Sequence, residues 1–131
     1  MAIVKGERGL DPVFKALDLI DYQTTLAGYK KVLIKVNFIT TMTWDTGATT
    51  DPIVVEAIIQ RLKKLPVEVF VVESDATMTN ADKAFEATGM AEMCKKYGVE
   101  CLNLRHIPDK VKIKIPNGEC LQDITVPRIV T

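Results

Sequence analysis

The sequence has no apolar run near the roughly 18 residues of a membrane-spanning helix. It also has no excess of either charge, because 17 Lys and Arg balance 17 Asp and Glu. The first absence excludes a helical membrane span within these residues, and the second excludes a polycation built to coat nucleic acid. Histidine is nearly missing: His106 is the only one. With one His and no Gly-x-Ser-x-Gly elbow, a serine-hydrolase triad is not expected. Cysteine is scarce as well, and Cys94, Cys101 and Cys120 contain no Cys-x-x-Cys pair. A zinc or iron–sulfur site closed by this chain alone is therefore not expected. The start, Met1-Ala2-Ile3-Val4-Lys5-Gly6, lacks the apolar core of a secretory signal. Together with the odd cysteine count, this predicts reduced thiols and a cytoplasmic location. Cys94 and Cys101 read as small buried hydrophobes, and Cys120, after a turn, as exposed.

What is present is the composition of a globular protein, with 131 residues, 47% apolar and 26% charged. That suits one domain over residues 1–131 with a sizeable core. No repeat, linker or low-complexity tract interrupts it.

Along the chain, Ile3 to Lys5 reads as a short strand. Asp11-Pro12 reads as a helix start, with Leu10, Phe14, Leu17 and Ile20 at helical spacing and Gly28 closing the region. The β-branched run from Lys31 to Val36 predicts a strand, and a Thr-rich loop carrying Trp44 follows from Thr40 to Thr50. Asp51-Pro52 repeats the cap signal before a broad apolar face of Val54, Val55, Ile58, Ile59, Leu62 and Leu65. Arg61, Lys63 and Lys64 lie in the last turn, where the helix dipole favours cations, and Pro66 stops the helix. Val67 to Val72 is nearly continuous in apolar residues, as suits a strand covered on both faces. Thr79 with Asp82 predicts a capping box for a helix to Thr88. Met90 to Tyr97 reads as another helix, capped by Gly98, and Val99 to Leu104 as a further strand. Val111 to Ile115 alternates strictly, Asn117-Gly118 offers the residues of a type I′ turn, and Leu121 to Val126 returns, which predicts a β-hairpin. Strands alternating with helices imply right-handed βαβ units. The expected fold is α/β: three layers, a mainly parallel sheet flanked by helices, with a C-terminal β-hairpin.

Several segments, taken in order, resemble the domain-of-unknown-function family 362. They are Val32-Leu33-Ile34-Lys35-Val36-Asn37-Phe38, Gly47-Ala48-Thr49-Thr50-Asp51-Pro52, Val71-Val72-Glu73-Ser74, Ala84-Phe85-Glu86-Ala87-Thr88-Gly89, Lys96-Tyr97-Gly98-Val99, and Ile115-Pro116-Asn117-Gly118 with Ile124-Thr125-Val126-Pro127-Arg128. The resemblance runs from about Lys5 to the last residue. Where the family usually reads Lys-Pro-Asn, this chain has Lys35-Val36-Asn37, which implies a less rigid entry into the loop. The resemblance implies a longer protein. Relatives run to about twice this length and continue into a Lys-x-Lys-x-His-like stretch, and some carry a ferredoxin-type iron–sulfur module. Residues 1–131 are then expected to be an N-terminal portion, with a missing C-terminal region or a second copy as partner. The family implies neither a cofactor nor a reaction for this chain.

Ligands of open parallel sheets bind beyond the carboxyl ends of the strands. Three segments are expected to meet there. Lys35 and Asn37 close the second predicted strand, and Lys35 offers a charge to a phosphate or carboxylate. The loop with Gly47, Thr49 and Thr50 leads into a helix start, which suits an anion, although it lacks the Gly-Lys-Ser/Thr ending of a Walker loop. Glu73, Ser74 and Asp75 close the third strand, with Glu73 and Asp75 two apart as candidate Mg²⁺ ligands or an acid/base pair. Ordinary structural roles compete: a Lys35 salt bridge to Glu73 or Asp75, loop capping by Asn37, N-capping by Thr50 or Asp51, and a turn at Ser74-Asp75. Trp44 reads as a pocket wall or a loop anchor, and His106 as a surface loop residue. Lys112 and Lys114 on the hairpin's wet face guard a strand edge rather than bind nucleic acid. The expected function is a small-anion or metal site at this sheet edge as part of an enzyme. The alternatives are a non-catalytic assembly module or a fragment of an iron–sulfur-associated redox protein.

Overall fold

A computed structural model describes all residues from Met1 to Thr131. The elements are α1 (Leu10–Leu19), α2 (Tyr22–Leu26), β1 (Lys31–Lys35), α3 (Pro52–Leu62), β2 (Glu68–Glu73), α4 (Ala81–Ala87), α5 (Met90–Lys96), β3 (Glu100–Asn103), β4 (Lys110–Lys114) and β5 (Asp123–Pro127). The strands β1, β2 and β3 pair in that order, both pairs parallel, and β4 pairs with β5 antiparallel. The architecture is thus α/β, a parallel sheet flanked by helices with a C-terminal antiparallel strand pair.

The central strand β2 is the nearly continuous apolar run. Its Val69, Val71 and Val72 are buried. Register aligns Val32 and Ile34 of β1 with Val69 and Val71, and Cys101 of β3 with Val71. This face meets Ile59 and Leu62 of α3, Phe85 of α4, and Met90 and Cys94 of α5 in one core, against which Leu17 of α1 also packs. The connections from β1 to β2 through α3 and from β2 to β3 through α4 and α5 are crossovers between parallel strands. On the other face Val72 is buried, and Ile129 and Val130 line a cleft there with Leu33.

The Asp51 cap forms as its residue type predicts: Asp51 Oδ1 accepts from the Ile53 amide at 3.0 Å, with Pro52 at the first helical position. The same carboxylate takes a two-pronged bond from Arg8, Nε to Oδ2 at 2.7 Å and Nη2 to Oδ1 at 2.8 Å. The Arg8 guanidinium lies 3.8 Å from the Trp44 ring centroid, so Trp44 is a loop anchor for the N-terminal segment.

Several sequence expectations differ from the structure. Ile3 to Lys5 is not a strand. Ile3 is exposed and no backbone group of the segment bonds to the sheet, because strand propensity without a partner edge fixes nothing. The first helix begins at Leu10, so Asp11 sits in its first turn and makes no cap bond. The short helix α2 was not foreseen, and its Tyr22 joins the core. The cap of α4 is Asn80, whose Oδ1 accepts from the Lys83 amide at 3.0 Å. Thr79 instead donates its hydroxyl to the Ile39 carbonyl at 2.6 Å, tying two loops together.

The hairpin forms, but not through a two-residue turn. Residues 115–122 connect β4 to β5, and Gly118 N donates to Ile115 O at 3.2 Å. The central residues of that turn are Pro116 and Asn117. Pro116 holds a negative φ and Asn117 takes φ 59°, a type II pattern. Gly118 matters for another reason: a Cβ there would run into the Leu121 carbonyl oxygen.

The ribbon pairs Val111 with Val126 and Ile113 with Ile124 on one face. Ile113 and Ile124 are 36% and 37% exposed and Val111 and Val126 half-buried, so that face is only partly covered. Arg128 holds the ribbon's open end, bonding Asp109 through its amide at 2.9 Å and its Nε at 3.1 Å. A two-stranded ribbon is marginal in water by itself. Its amides are therefore expected to exchange with solvent at least 100-fold faster than those of β2, as read by hydrogen–deuterium exchange. Equal protection of the two would show that the ribbon is packed.

Candidate functional site

Parallel pairing brings the carboxyl ends of β1, β2 and β3 to one edge. Two polar clusters form there. At the end of β1, Lys35 Nζ lies 3.2 Å from Glu73 Oε2. Lys35 also donates to Asn37 Oδ1 and, at 2.9 Å, to the Val36 carbonyl. The Lys35 side chain stays 59% exposed, while that of Glu73 is 13% exposed.

The second cluster joins β2, α4 and the chain after β3. Asn103, closing β3, is buried, and its Nδ2 donates to Asp75 Oδ1 at 2.7 Å and to Asp82 Oδ2 at 2.9 Å. Its Oδ1 accepts from the Arg105 amide at 3.2 Å. Asp75 Oδ1 also accepts from the Ala81 amide at 2.9 Å, at the start of α4. His106 lies between the two carboxylates, with Nδ1 3.2 Å from Asp82 Oδ2 and Nε2 3.7 Å from Asp75 Oδ2. Arg105 Nε is 3.8 Å from Asp75 Oδ2, and its side chain is 69% exposed. The Ala81 amide, the Asn103 carboxamide and the nearby charges of His106 and Arg105 hold the Asp75 carboxyl below its ordinary range.

The Thr-rich loop is built inward. The Thr50 amide donates to the Asn37 carbonyl at 3.0 Å, and the Thr50 hydroxyl accepts from the Asn37 amide at 2.8 Å. The Thr49 hydroxyl donates to the Met42 carbonyl at 3.1 Å. Gly47, at φ 73°, closes the Trp44–Thr46 turn through its amide. These groups shape the loop, and its amides point largely to internal partners. Ser74 is exposed between the two clusters. Glu73 and Asp75 face different partners, Lys35 for one and Asn103, Arg105 and His106 for the other. No group of three or more His, Cys, Asp or Glu side chains is placed to hold a metal ion.

An open cleft of about 800 Å³ lies beside the second cluster, between residues 75–80 and Arg105. It includes the Thr77 and Thr79 positions and Asn80. Another cleft, of about 460 Å³, is formed by the N-terminal segment around Gly6 and Pro12, away from the strand ends.

The fold and this edge define a small α/β protein with charged groups gathered where parallel strands end. The chain belongs to the family of domains of unknown function DUF362, whose model matches residues 32–131. Comparison with curated proteins and with solved structures found no match. No helix is long and apolar enough to cross a membrane.

The carboxyl end of β3 adds residues that the sequence expectations for the site do not include. The rule that pointed to Lys35 and Glu73 applies equally after β3, where Asn103, Arg105 and His106 stand. What the sequence could not show is that Asp82, on α4, folds back to them.

A group whose carboxyl is depressed in the folded state stabilises above its unfolded pKa, and the contribution is lost as pH falls through the folded value. Asp75→Asn keeps the side chain's shape but turns an amide toward Arg105 and His106. It should unfold at lower urea than the parent at pH 7, with the gap closing below about pH 4, the unfolded carboxyl range. A gap unchanged from pH 7 to pH 3 would show that the charge of Asp75 contributes nothing.

Proposed function

We propose that the carboxyl edge of the sheet binds a small phosphate or carboxylate as part of an enzyme. The observation that carries this reading is the open cleft walled by the exposed Arg105 guanidinium. Lys35, also exposed, lies two strands away at the same edge, a separation of roughly 10 Å at ordinary strand spacing. Exposed ion pairs are worth only about 0–1 kcal/mol. Arg105 and Lys35 can therefore trade their own carboxylates for those of a ligand at small cost. Asn37 and Thr50 fix the backbone beside Lys35, Ser74 adds a free hydroxyl, and Thr49 and Gly47 hold the loop. Glu73 and Asp75 orient the cations in this reading, and their use as Mg²⁺ ligands is the competing chemistry.

Titration calorimetry with inorganic phosphate, citrate and MgCl₂ separates these uses. Binding of phosphate or citrate, weakened at least 10-fold in both Lys35→Ala and Arg105→Ala with folding intact, is the expected result. Heat with Mg²⁺ alone would move the site to metal chemistry, and no heat with any of the three overturns the reading.

The partly exposed apolar face of the β4–β5 ribbon, with Ile113 and Ile124, favours a second reading, assembly with another copy of this chain. Sedimentation of the full chain should then show a concentration-dependent dimer that Ile113→Lys abolishes. A monomer at all concentrations rejects it.

A further inference from the structure

The rim of the sheet edge is not only polar. Ile39 is 72% exposed and Met78 is 95% exposed. Apolar side chains scattered singly over a surface need no explanation. These two, however, line one cleft of about 400 Å³, together with Thr40, Thr41, Asn80 and Lys83. Met78, Thr79 and Asn80 also line the larger cleft that Arg105 walls. The two clefts therefore meet along residues 78–80, and Met78 is common to both.

The display of Met78 is built into its loop. The Ala76 amide donates to the Thr79 carbonyl at 2.9 Å, which closes the chain around Thr77 and Met78. The Thr79 side chain turns inward: it is buried, and its hydroxyl bond to the Ile39 carbonyl sets the two loops side by side. Asn80 then caps α4. The backbone around Met78 is thus fixed while its thioether stands in water. Methionine is adaptable and polarisable, and it recurs on surfaces that bind apolar groups of varied shape.

Charge completes the pattern. Arg105 stands in the larger cleft, and its contact with Asp75 is a long one, at 3.8 Å. Lys83 stands in the smaller cleft, and its ammonium takes part in no ion pair. A bare phosphate at Arg105 would leave Met78 and Ile39 in water. An anion that also carries an apolar group would cover them.

We infer that the ligand of this edge is an amphipathic anion, with its charged head at Arg105 and its apolar part over Met78 and Ile39. The inference rests on the anion-binding reading above and names the kind of anion. Small-molecule sites commonly combine apolar walls with a few polar groups that fix orientation. Two sources share the required chemistry: the chain of an acyl carboxylate, and the base of a nucleoside phosphate.

Titration calorimetry on the full chain compares acetate with octanoate, kept below its micelle concentration, and inorganic phosphate with adenosine monophosphate. In at least one pair the larger ligand binds about 10-fold or more tightly than its bare counterpart, a gain that burying roughly two CH₂ groups provides. The pair that shows the gap names the source. Combining Met78→Ser with Ile39→Ser closes the gap, read as the ratio of the two affinities on the same variant. Arg105→Ala weakens both members of the pair. Because both apolar side chains are exposed, the double variant is expected to keep the parent's urea midpoint; if it does not, the two comparisons on the parent chain decide alone. The inference is overturned if phosphate or acetate binds and neither larger ligand gains, or if the gap survives the double variant, and the anion-binding reading then stands without it. If none of the four binds, that reading fails and the inference falls with it.

Discussion

The carboxamide of Asn103 is buried, and a buried amide must find partners for its hydrogens or lose about 1–3 kcal/mol. Its two hydrogens go to carboxylates on different elements, Asp75 after β2 and Asp82 in α4, and its oxygen goes to the backbone after β3. One side chain thereby ties together the chain after β2, the first turn of α4 and the chain after β3. Two carboxylates this close would repel each other. The amide between them, with His106 and Arg105 on their outer side, lets both stand at one edge. The open cleft lies beside this arrangement, between residues 75–80 and Arg105.

Much of the architecture was legible in local chemistry. Asp51-Pro52 begins a helix where cap and proline rules say it should, and the apolar run of β2 lies at the sheet centre. The Lys35–Glu73 pair followed from placing two predicted strand ends side by side. The failures share a physical cause. Ile3 to Lys5 has strand-forming residues but no edge to pair with, and nothing local reveals that absence. Asn117-Gly118 is a strong turn signal, yet Pro116 shifts the turn back by one residue because its fixed φ suits the first central position. The Asp82–Asn103–His106 contacts span α4 to the chain beyond β3, and no spacing within either segment encodes them.

The loop before α3 shows how one carboxylate can couple distant parts of the chain. Asp51 caps the helix and holds Arg8, which lies on Trp44. Desolvation works against the charged Asp51, but the bonds from Arg8 and the Ile53 amide outweigh it and keep the carboxyl below its ordinary range. The N-terminal segment lies outside the family-matched residues, yet through this clip it braces the Thr-rich loop beside Lys35.

The strands of the sheet pair in the order in which they occur in the chain. Lys31 meets Glu68 and Phe70 meets Glu100, partners only 37 and 30 residues apart. Each strand therefore docks onto its immediate predecessor, with the intervening helix or helix pair already in hand, and no strand waits for a distant one. Pairing with the immediate predecessor costs less loop-closure entropy than pairing with a more distant strand would. During synthesis the unit can grow in the direction of translation, β1 with β2 first and β3 added as it emerges. The polar edge is completed last, when Asn103 arrives to bind the two carboxylates already waiting for it.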